Sequence, residues 1–382
     1  MKFEKLKNIV DVKKGKKPSF VETPDENSVR VLQIDDLRND TNPKFTNAKT
    51  GVLAKEDDVL IAWDGANAGT IGYGKSGYIG STIALLRKKQ PELYSTTFIG
   101  IFLQSQYQYL RSKTTGATIP HISRKALDEL EVPVISLNDQ LHIANLLSKA
   151  ENLIAQRKES IRLLDEFLKS TFLEMFGEPV TNPKGWKLKT LDKISNVGSS
   201  KRVFVEELVE SGIPFFRGTE IGQLGEGKNV TPTLYITQEH FEELKSHTGV
   251  PVIGDLLMPS ICPDGRIFRV VNIESFYFKD GRVLWVKPDQ NIVNSFYLHN
   301  TLKRLFITNY NKIASGTTFA ELKIVALKKI QVPMPPIELQ TQFAQIVEKI
   351  EALKTQYQQS LQELEHLYGS LSQKAFRGEL RV

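Results

Sequence analysis

Residues 132–176 read VPVISLNDQLHIANLLSKAENLIAQRKESIRLLDEFLKSTFLEMF, and this stretch decides the architecture. From Ile143 its apolar positions step in alternating fours and threes: Ile143, Leu147, Ala150, Ile154, then Ile161, Leu164, Leu168 and Met175. Arg157 and Thr171 occupy the two seam positions that interrupt the series. A 3-4 alternation of this length is the seam of a coiled coil, not the broad face of a globular helix. Neither proline nor glycine occurs between Asp139 and Phe176. Roughly 37 residues can therefore form one helix of about 55 Å at 1.5 Å per residue.

The pattern returns 200 residues later, at Phe343, Val347, Ile350, Tyr357, Leu361, Leu364, Tyr368, Leu371 and Ala375. Its lead-in returns with it: Val132-Pro133 as Val332-Pro333, Gln140 as Gln340, and Gly116-Ala117-Thr118 as Gly316-Thr317-Thr318. The chain is two copies of one plan, a globular part followed by a long helix, which is a duplicated domain and not a solenoid of short units. The expected organisation is a globular domain over 1–135, a helix over 136–178, a second globular domain over 179–335 and a second helix over 336–382. Pro179, Asn182, Pro183 and Gly185 mark the break between the copies.

Composition narrows the function. At 382 residues the chain exceeds one ordinary core. It has no apolar run long enough to span a membrane, and Met1–Asn8 has no apolar signal core. A single cysteine, Cys262, excludes an internal disulfide and fits a reducing cytoplasm, the expected location. Net charge is +6, distributed unevenly. Residues 1–135 carry 20 Lys/Arg against 16 Asp/Glu, and residues 179–335 carry 20 against 15. The helical segments are slightly acidic, with 5 against 7 over 136–178 and 5 against 6 over 336–382. That distribution directs nucleic acid to the globular parts and protein to the helices.

Within the globular parts, Leu6, Ile9 and Val12 lead into a basic loop containing Lys13, Lys14, Lys16 and Lys17; its counterpart after Val197 is Ser199-Ser200-Lys201-Arg202. Ammonium, guanidinium and backbone N–H groups in such a loop can grip phosphates. Arg30–Leu37 and Phe215–Ile221 alternate as half-buried strands, presenting Gln33, Arg217 and Thr219. Gln and Arg are residue types that read base edges. Asp58–Trp63 with Ser81–Arg87, and Asp255–Ser260 with Gly281–Lys287, read as buried strands. Helical periodicity follows around Phe98–Arg111 and Phe296–Arg304, and short strands at Leu127–Val134 and Leu327–Met334 feed the long helices. Tyr107, Tyr109, Arg111 and Lys113, and later Tyr310 and Lys312, form basic-aromatic groups.

Catalytic motifs do not hold up. Gly69–Ser76 satisfies Gly-x4-Gly-Lys-Ser, but a phosphate loop needs a strand before it and a helix after it. Here Gly77, Gly80 and a strand-like run follow, and the equivalent turn Pro263–Ile267 lacks Gly-Lys-Ser. Glycine-punctuated hairpin turns account for it better. The six histidines have no zinc-ligand spacing, and no Gly-x-Ser-x-Gly elbow occurs. Asn42-Pro43-Lys44-Phe45 lacks the second proline of the amino-methyltransferase signature.

Two half-repeats, each closing with Gly-x-Thr, then Val-Pro, then Leu/Ile-x-x-Gln before a coiled-coil helix, resemble the DNA-specificity (S) subunits of type I restriction–modification systems. Asp139 and Leu339 stand where that family's Leu-x-Glu-Gln has glutamate. The resemblance covers the whole chain. It implies an α+β fold: two similar mixed α/β target recognition domains joined by two long antiparallel coiled-coil helices, with a pseudo-two-fold internal repeat. It also implies a non-catalytic subunit reading a bipartite site on double-stranded DNA, seated against two methyltransferase (M) subunits and with restriction (R) subunits, and no membrane. S-adenosylmethionine, ATP and Mg would sit on those partners, with no cofactor or metal bound by this chain. The alternative from another class is a protein–protein scaffold that binds no DNA. Candidate DNA contacts are Lys13, Lys14, Lys16, Lys17, Gln33, Arg38, Lys113 and Thr118 in the first domain, and Ser199, Lys201, Arg202, Arg217, Thr219, Arg266, Lys312 and Thr318 in the second. Phe167, Phe172, Phe176, Tyr357 and Phe376 fall partly outside the seam, so a surface beyond the helix pair is expected to cover them.

Overall fold

The protein is described by a computed structural model covering residues 2–39, 41–116, 118–272, 274–315 and 320–380. Its long helices are Leu137–Phe176 and Ile337–Arg377. Each carries a buried glutamine in its first turn. Gln140 accepts a hydrogen bond from Ser95 N (2.9 Å) and donates to the carbonyls of Leu93 (2.9 Å) and Ile135 (3.1 Å). Gln340 repeats this, accepting from Asn294 N (2.9 Å) and donating to Pro335 O (2.8 Å). Both side chains are fully buried, so the lead-in glutamine ties the helix start to the loop before the domain's main helix. Ser136 caps the first long helix by accepting from Asp139 N (3.1 Å).

The chain divides into two compact units, 1–159 with 358–382, and 160–357. Each unit takes one globular domain, the first half of the helix that follows it, and the last half of the other helix. In the first unit, two pairings step in opposite chain directions. Tyr368 Oη donates to Glu151 (2.6 Å), and Lys158 pairs with Glu365 (2.8 Å). The helix halves there are therefore antiparallel. In the second unit Lys354 pairs with Asp165, and Phe172 packs against Phe343. All ten positions of the first seam are buried or half-buried, Arg157 and Thr171 included.

The first domain is built on a four-stranded antiparallel sheet in the order Val10–Lys14, Ile83–Lys88, Val59–Ala62, Ile71–Tyr73, with Val12 opposite Leu86. A second four-stranded sheet orders Lys44–Thr46, Val29–Leu32, Gly77–Ile79 and Leu53–Ala54. The second domain repeats the first sheet with Ser195–Gly198, Val283–Pro288, Leu256–Pro259 and Phe268–Arg269, Val197 lying opposite Val286. In both units a two-stranded ribbon, Lys2–Lys5 with Glu131–Val134 and Lys187–Thr190 with Gln331–Met334, joins the start of the domain to its end.

Several expected strands are shorter than read. The run Arg30–Leu37 leaves the sheet after Leu32, because Asp36 accepts from Gln33 N (2.7 Å) and closes a 3-10 turn. Phe215–Ile221 leaves after Phe216, because Glu220 accepts from Arg217 N (3.0 Å) and caps a helix over Gly218–Gly225. Leu127 and Leu327 lie in single helical turns, Arg124–Asp128 and Ile324–Lys328, ahead of their strands. The Gly69–Ser76 motif contains the strand Ile71–Tyr73, and the next element is the strand Gly77–Ile79 in the other sheet. It has no following helix, as the sequence indicates. These two strands do not form a hairpin together; Ile71–Tyr73 pairs with Val59–Ala62.

The surface expected to cover the off-seam aromatics is largely the protein itself. Phe172 and Phe176 are buried in an aromatic cluster with Tyr297 and Phe343, at centroid separations of 4.7 to 6.0 Å. Phe376 packs on Phe98 (5.6 Å) and Phe102 (5.3 Å). Leu153 and Leu367 in the first unit, and Leu163 and Phe167 in the second, stay exposed.

Candidate nucleic-acid interface

In the first domain two of the candidate residues, Lys14 and Arg38, reach the turn between Ala62 and Ile71. Lys13 and Lys14 end a strand and do not lie in a loop, as the sequence reading had them. Gly15 then passes so close to Ile79 and Gly80 that a Cβ there would lie 2.3 Å from their carbonyl oxygens. Lys14 Nζ pairs with Asp64 (2.7 Å), and the other Asp64 oxygen meets His121 Nδ1 (2.6 Å). Burial pushes Asp64 upward, but the hydrogen bonds and charges of Lys14 and His121 prevail and hold it below the ordinary carboxylate value.

His121 closes a loop whose base is a reciprocal backbone pair with Thr115 (2.9 and 2.7 Å), and Thr118 lies exposed within it. Gly65 N donates to Pro120 O (2.9 Å), which fastens this loop to the 63–70 turn. On the other side of that turn, Arg38 donates to Asn67 (2.9 Å) and Thr70 (3.2 Å), and Arg111 donates to Ala66 O (3.0 Å). Gln33 is half-buried at the 3-10 turn and not on the strand. Lys13, Lys16, Lys17 and Lys113 are exposed, with no carboxylate partner among the described residues.

The corresponding residues of the second domain have other partners. Ser199 is committed to structure: its hydroxyl donates to Val283 O (2.7 Å) and accepts from Gly281 N (3.0 Å). Ser200 donates to Phe278 O (2.7 Å), and Lys201 N to Tyr277 Oη (2.9 Å). Lys201 Nζ lies 3.4 Å from Glu243, and Arg202 Nε donates to Asp280 (3.1 Å). Arg217, expected on a strand, clamps Glu220 through Nε (3.2 Å) and Nη2 (2.6 Å), and Thr219 is exposed in the first turn of that helix.

Arg266 pairs with Asp264 (2.7 Å) and lies over Gly222. Lys312 is not brought to this face; it lines a cavity of about 410 Å³ with Pro179, Asn182 and Lys329. Tyr310, read as part of a basic-aromatic group, is buried, accepting from Cys262 N (2.9 Å) and donating to the carbonyl of Ser260 or Ala320 (3.1 Å each). Thr318 falls outside the described residues.

Three residues of this face escaped the sequence reading: Asp280, Arg282 and Glu321. Arg282 Nη1 donates to Glu321 (3.1 Å), which also accepts from Ser260 (2.9 Å). Glu321 stands at the base of a loop bridged to Ser315, the position that His121 holds in the first domain. Counting Gly281–Lys287 as one buried strand hid Arg282; the strand starts at Val283 and leaves Arg282 exposed in the turn.

The family model for the type I restriction modification DNA specificity domain matches this chain twice, over residues 1–163 and 183–366. The chain belongs to that family. The DNA-specificity subunit is 25% identical to the type I restriction enzyme MjaVIII specificity subunit of Methanocaldococcus jannaschii, over 97% of this chain and 90% of that one. It is 20% identical to the EcoBI specificity subunit of Escherichia coli, over 93% and 81%. In solved structures, the S subunit from M. genitalium superposes with a TM-score of 0.63 at 19% identity, covering 98% of this chain and 96% of that chain. A chain from a study of type I R-M complex assembly gives 0.55 at 19%, covering 99% and 98%. The α+β fold with two domains and long helices is thus the family's own. No helix among the described residues of the specificity subunit is long and apolar enough to cross a membrane.

Proposed function

We propose that this subunit reads a two-part sequence on double-stranded DNA, one part with each domain over 1–135 and 179–335, and directs the modification and restriction machinery to it. The observation that carries this is the doubling itself: one chain matches the DNA-specificity model twice, and both copies present exposed cations at the end of the equivalent strand. Two separated readers call for a two-part target. The partners are two M subunits and the R subunits. Those partners hold S-adenosylmethionine, ATP and Mg, and this chain supplies no catalytic group. Leu153 and Leu367 in one unit, and Leu163 and Phe167 in the other, are apolar positions left for docking. The long helices act as the ruler that sets the spacer between the half-sites.

Methylome sequencing of cells with and without the gene tests this. A bipartite methylated motif should vanish with the gene, and inserting whole helical turns near Gln156, compensated in the facing helix, should lengthen its spacer and leave both half-sites unchanged. If no bipartite motif depends on the gene, the reading fails; an unchanged spacer would remove the ruler alone.

A further inference from the structure

We propose that Arg202 is a specificity-determining residue of the second domain and reads a guanine in its half-site; this rests on the DNA-reading function above. Arg202 lines a groove of about 480 Å³ between residues 202–206 and the turn 279–282, with Phe204, Lys279, Arg282 and Glu321. Its side chain is 67% exposed, yet its position is fixed from both ends. Behind it, Ser199, Ser200 and Lys201 are each hydrogen-bonded to the strand-and-turn segment 277–283. At its head, Asp280 holds Nε at 3.1 Å. No other partner engages the guanidinium among the described residues. Nη1 and Nη2, the pair that matches guanine O6 and N7 in the major groove, are therefore free and pre-oriented.

The electrostatics favour a base over a phosphate. The groove's cations Arg202, Lys279 and Arg282 are balanced by Glu206, Asp280 and Glu321, so its lining carries no net charge. Phosphate binding draws its strength from uncompensated cations, and three carboxylates oppose it. A base edge is neutral, and a carboxylate in the same groove can accept from the amino group of the paired cytosine. The apolar wall agrees. Phe204 and Val205 are 57% and 71% exposed, a poor lining for a hydrated anion and a suitable one for a thymine methyl or base edge. Arg217, by contrast, gives both Nε and an Nη2 hydrogen to Glu220, the residue that caps its own helix, so more of its donor capacity is spent on local structure.

The test uses the subunit in complex with its M partners, scoring methylation of a randomised-site plasmid library and DNA binding across a salt series. Arg202→Ala and Arg202→Lys should each relax one G·C position in one half-site, with discrimination there falling about tenfold to hundredfold. The other half-site is the internal control for folding and assembly, and the salt slope should be unchanged. Asp280→Asn, which leaves the cation in place but loosens it, should relax the same position more weakly. Uniform weakening of all sequences with a shallower salt slope would make Arg202 a phosphate contact and overturn the proposal. An unchanged motif, or a wild-type motif with a half-site lacking G·C pairs, would also overturn it. A wild-type complex that modifies no two-part motif would bring down the DNA-reading function itself, and this assignment with it.

Discussion

Lys17 and Arg202 lie at the same sequence distance, five residues, beyond the valines Val12 and Val197 that lie opposite Leu86 and Val286. Lys17 has no acidic partner among the described residues; Arg202 is held by Asp280. The contrast extends across both faces. Lys13, Lys16, Lys17 and Lys113 have no carboxylate partner among the described residues of the first domain, where Lys14 pairs with Asp64, whereas Lys201, Arg202, Arg217, Arg266 and Arg282 each meet a carboxylate in the second. Net charges of +4 and +5 for the two parts conceal this difference completely. Exposed pairs of this kind contribute about 0–1 kcal/mol to stability, so their consequence is orientation. One scaffold thus carries lysines without carboxylate partners in its first copy and cations held by carboxylates in its second.

The domains also differ in how they seat the long helices, and here the largest effect is expected. Phe172 is fully buried against Phe176, Tyr297 and Phe343, while the position 200 residues on is Ser372 and the first unit relies on Phe376. Phe172→Ala should cost about 3–5 kcal/mol. Phe376→Ala, at a half-buried site, should cost roughly half as much on the same basis. Hydrogen exchange should place the first loss in the helix Ser295–Ile313 and the second in Thr96–Ser105. Equal losses would mean that the two seats are equivalent despite their different aromatic content.

Next come the lysines of the first domain that lack a carboxylate partner. Lys13, Lys16 and Lys17 changed together to Gln should reduce the salt slope of binding by about 2.7 and weaken binding roughly a hundredfold near 0.15 M salt, for every sequence alike. The methylated motif should keep all its positions. A lost or relaxed base position in this variant would erase the proposed difference between the two faces.

How much of this was legible in the sequence depends on what kind of contact decides each feature. The helices, their seam and the doubling are written in periodicity and in a repeated lead-in, and the buried Gln140 and Gln340 explain why that lead-in recurs. Strand ends were less legible, because Asp36 and Glu220 stop their strands through side-chain caps, a signal that alternation of apolar residues does not contain. The sites were the least legible. Arg202 was picked out for its charge, but its pin, Asp280, is 78 residues away and invisible to local reading. Ser199 looked like a phosphate ligand by position, and its hydroxyl proves to be bonded to Val283 and Gly281.

The smallest expected effect separates two aspartates at equivalent strand starts. Asp58 receives Arg87 through Nε (2.8 Å) and Nη2 (2.5 Å). Asp255 instead accepts from Trp285 Nε1 (2.8 Å) and Val252 N (3.1 Å), and Lys287, at the place of Arg87, lies over the Trp285 ring at 3.5 Å. Asp58→Asn removes the charge that Arg87 is paired with. It should cost about 1–2 kcal/mol, less than a fully buried pair because Arg87 is partly exposed. Asp255→Asn keeps an acceptor oxygen for both donors and loses only a charge that burial disfavours. Burial pushes the Asp255 carboxyl above the ordinary value of 3.8, outweighing its hydrogen bonds and Lys287. Between that value and the raised one, the native state binds more protons than the unfolded chain. Wild-type stability should therefore fall as pH rises through the raised value, and Asp255→Asn should abolish that fall and be neutral or stabilising at pH 7. Denaturant midpoints of both variants from pH 4 to 7 decide it: a destabilised Asp255→Asn at neutral pH would show that the second domain, too, depends on a carboxylate's charge at this strand start.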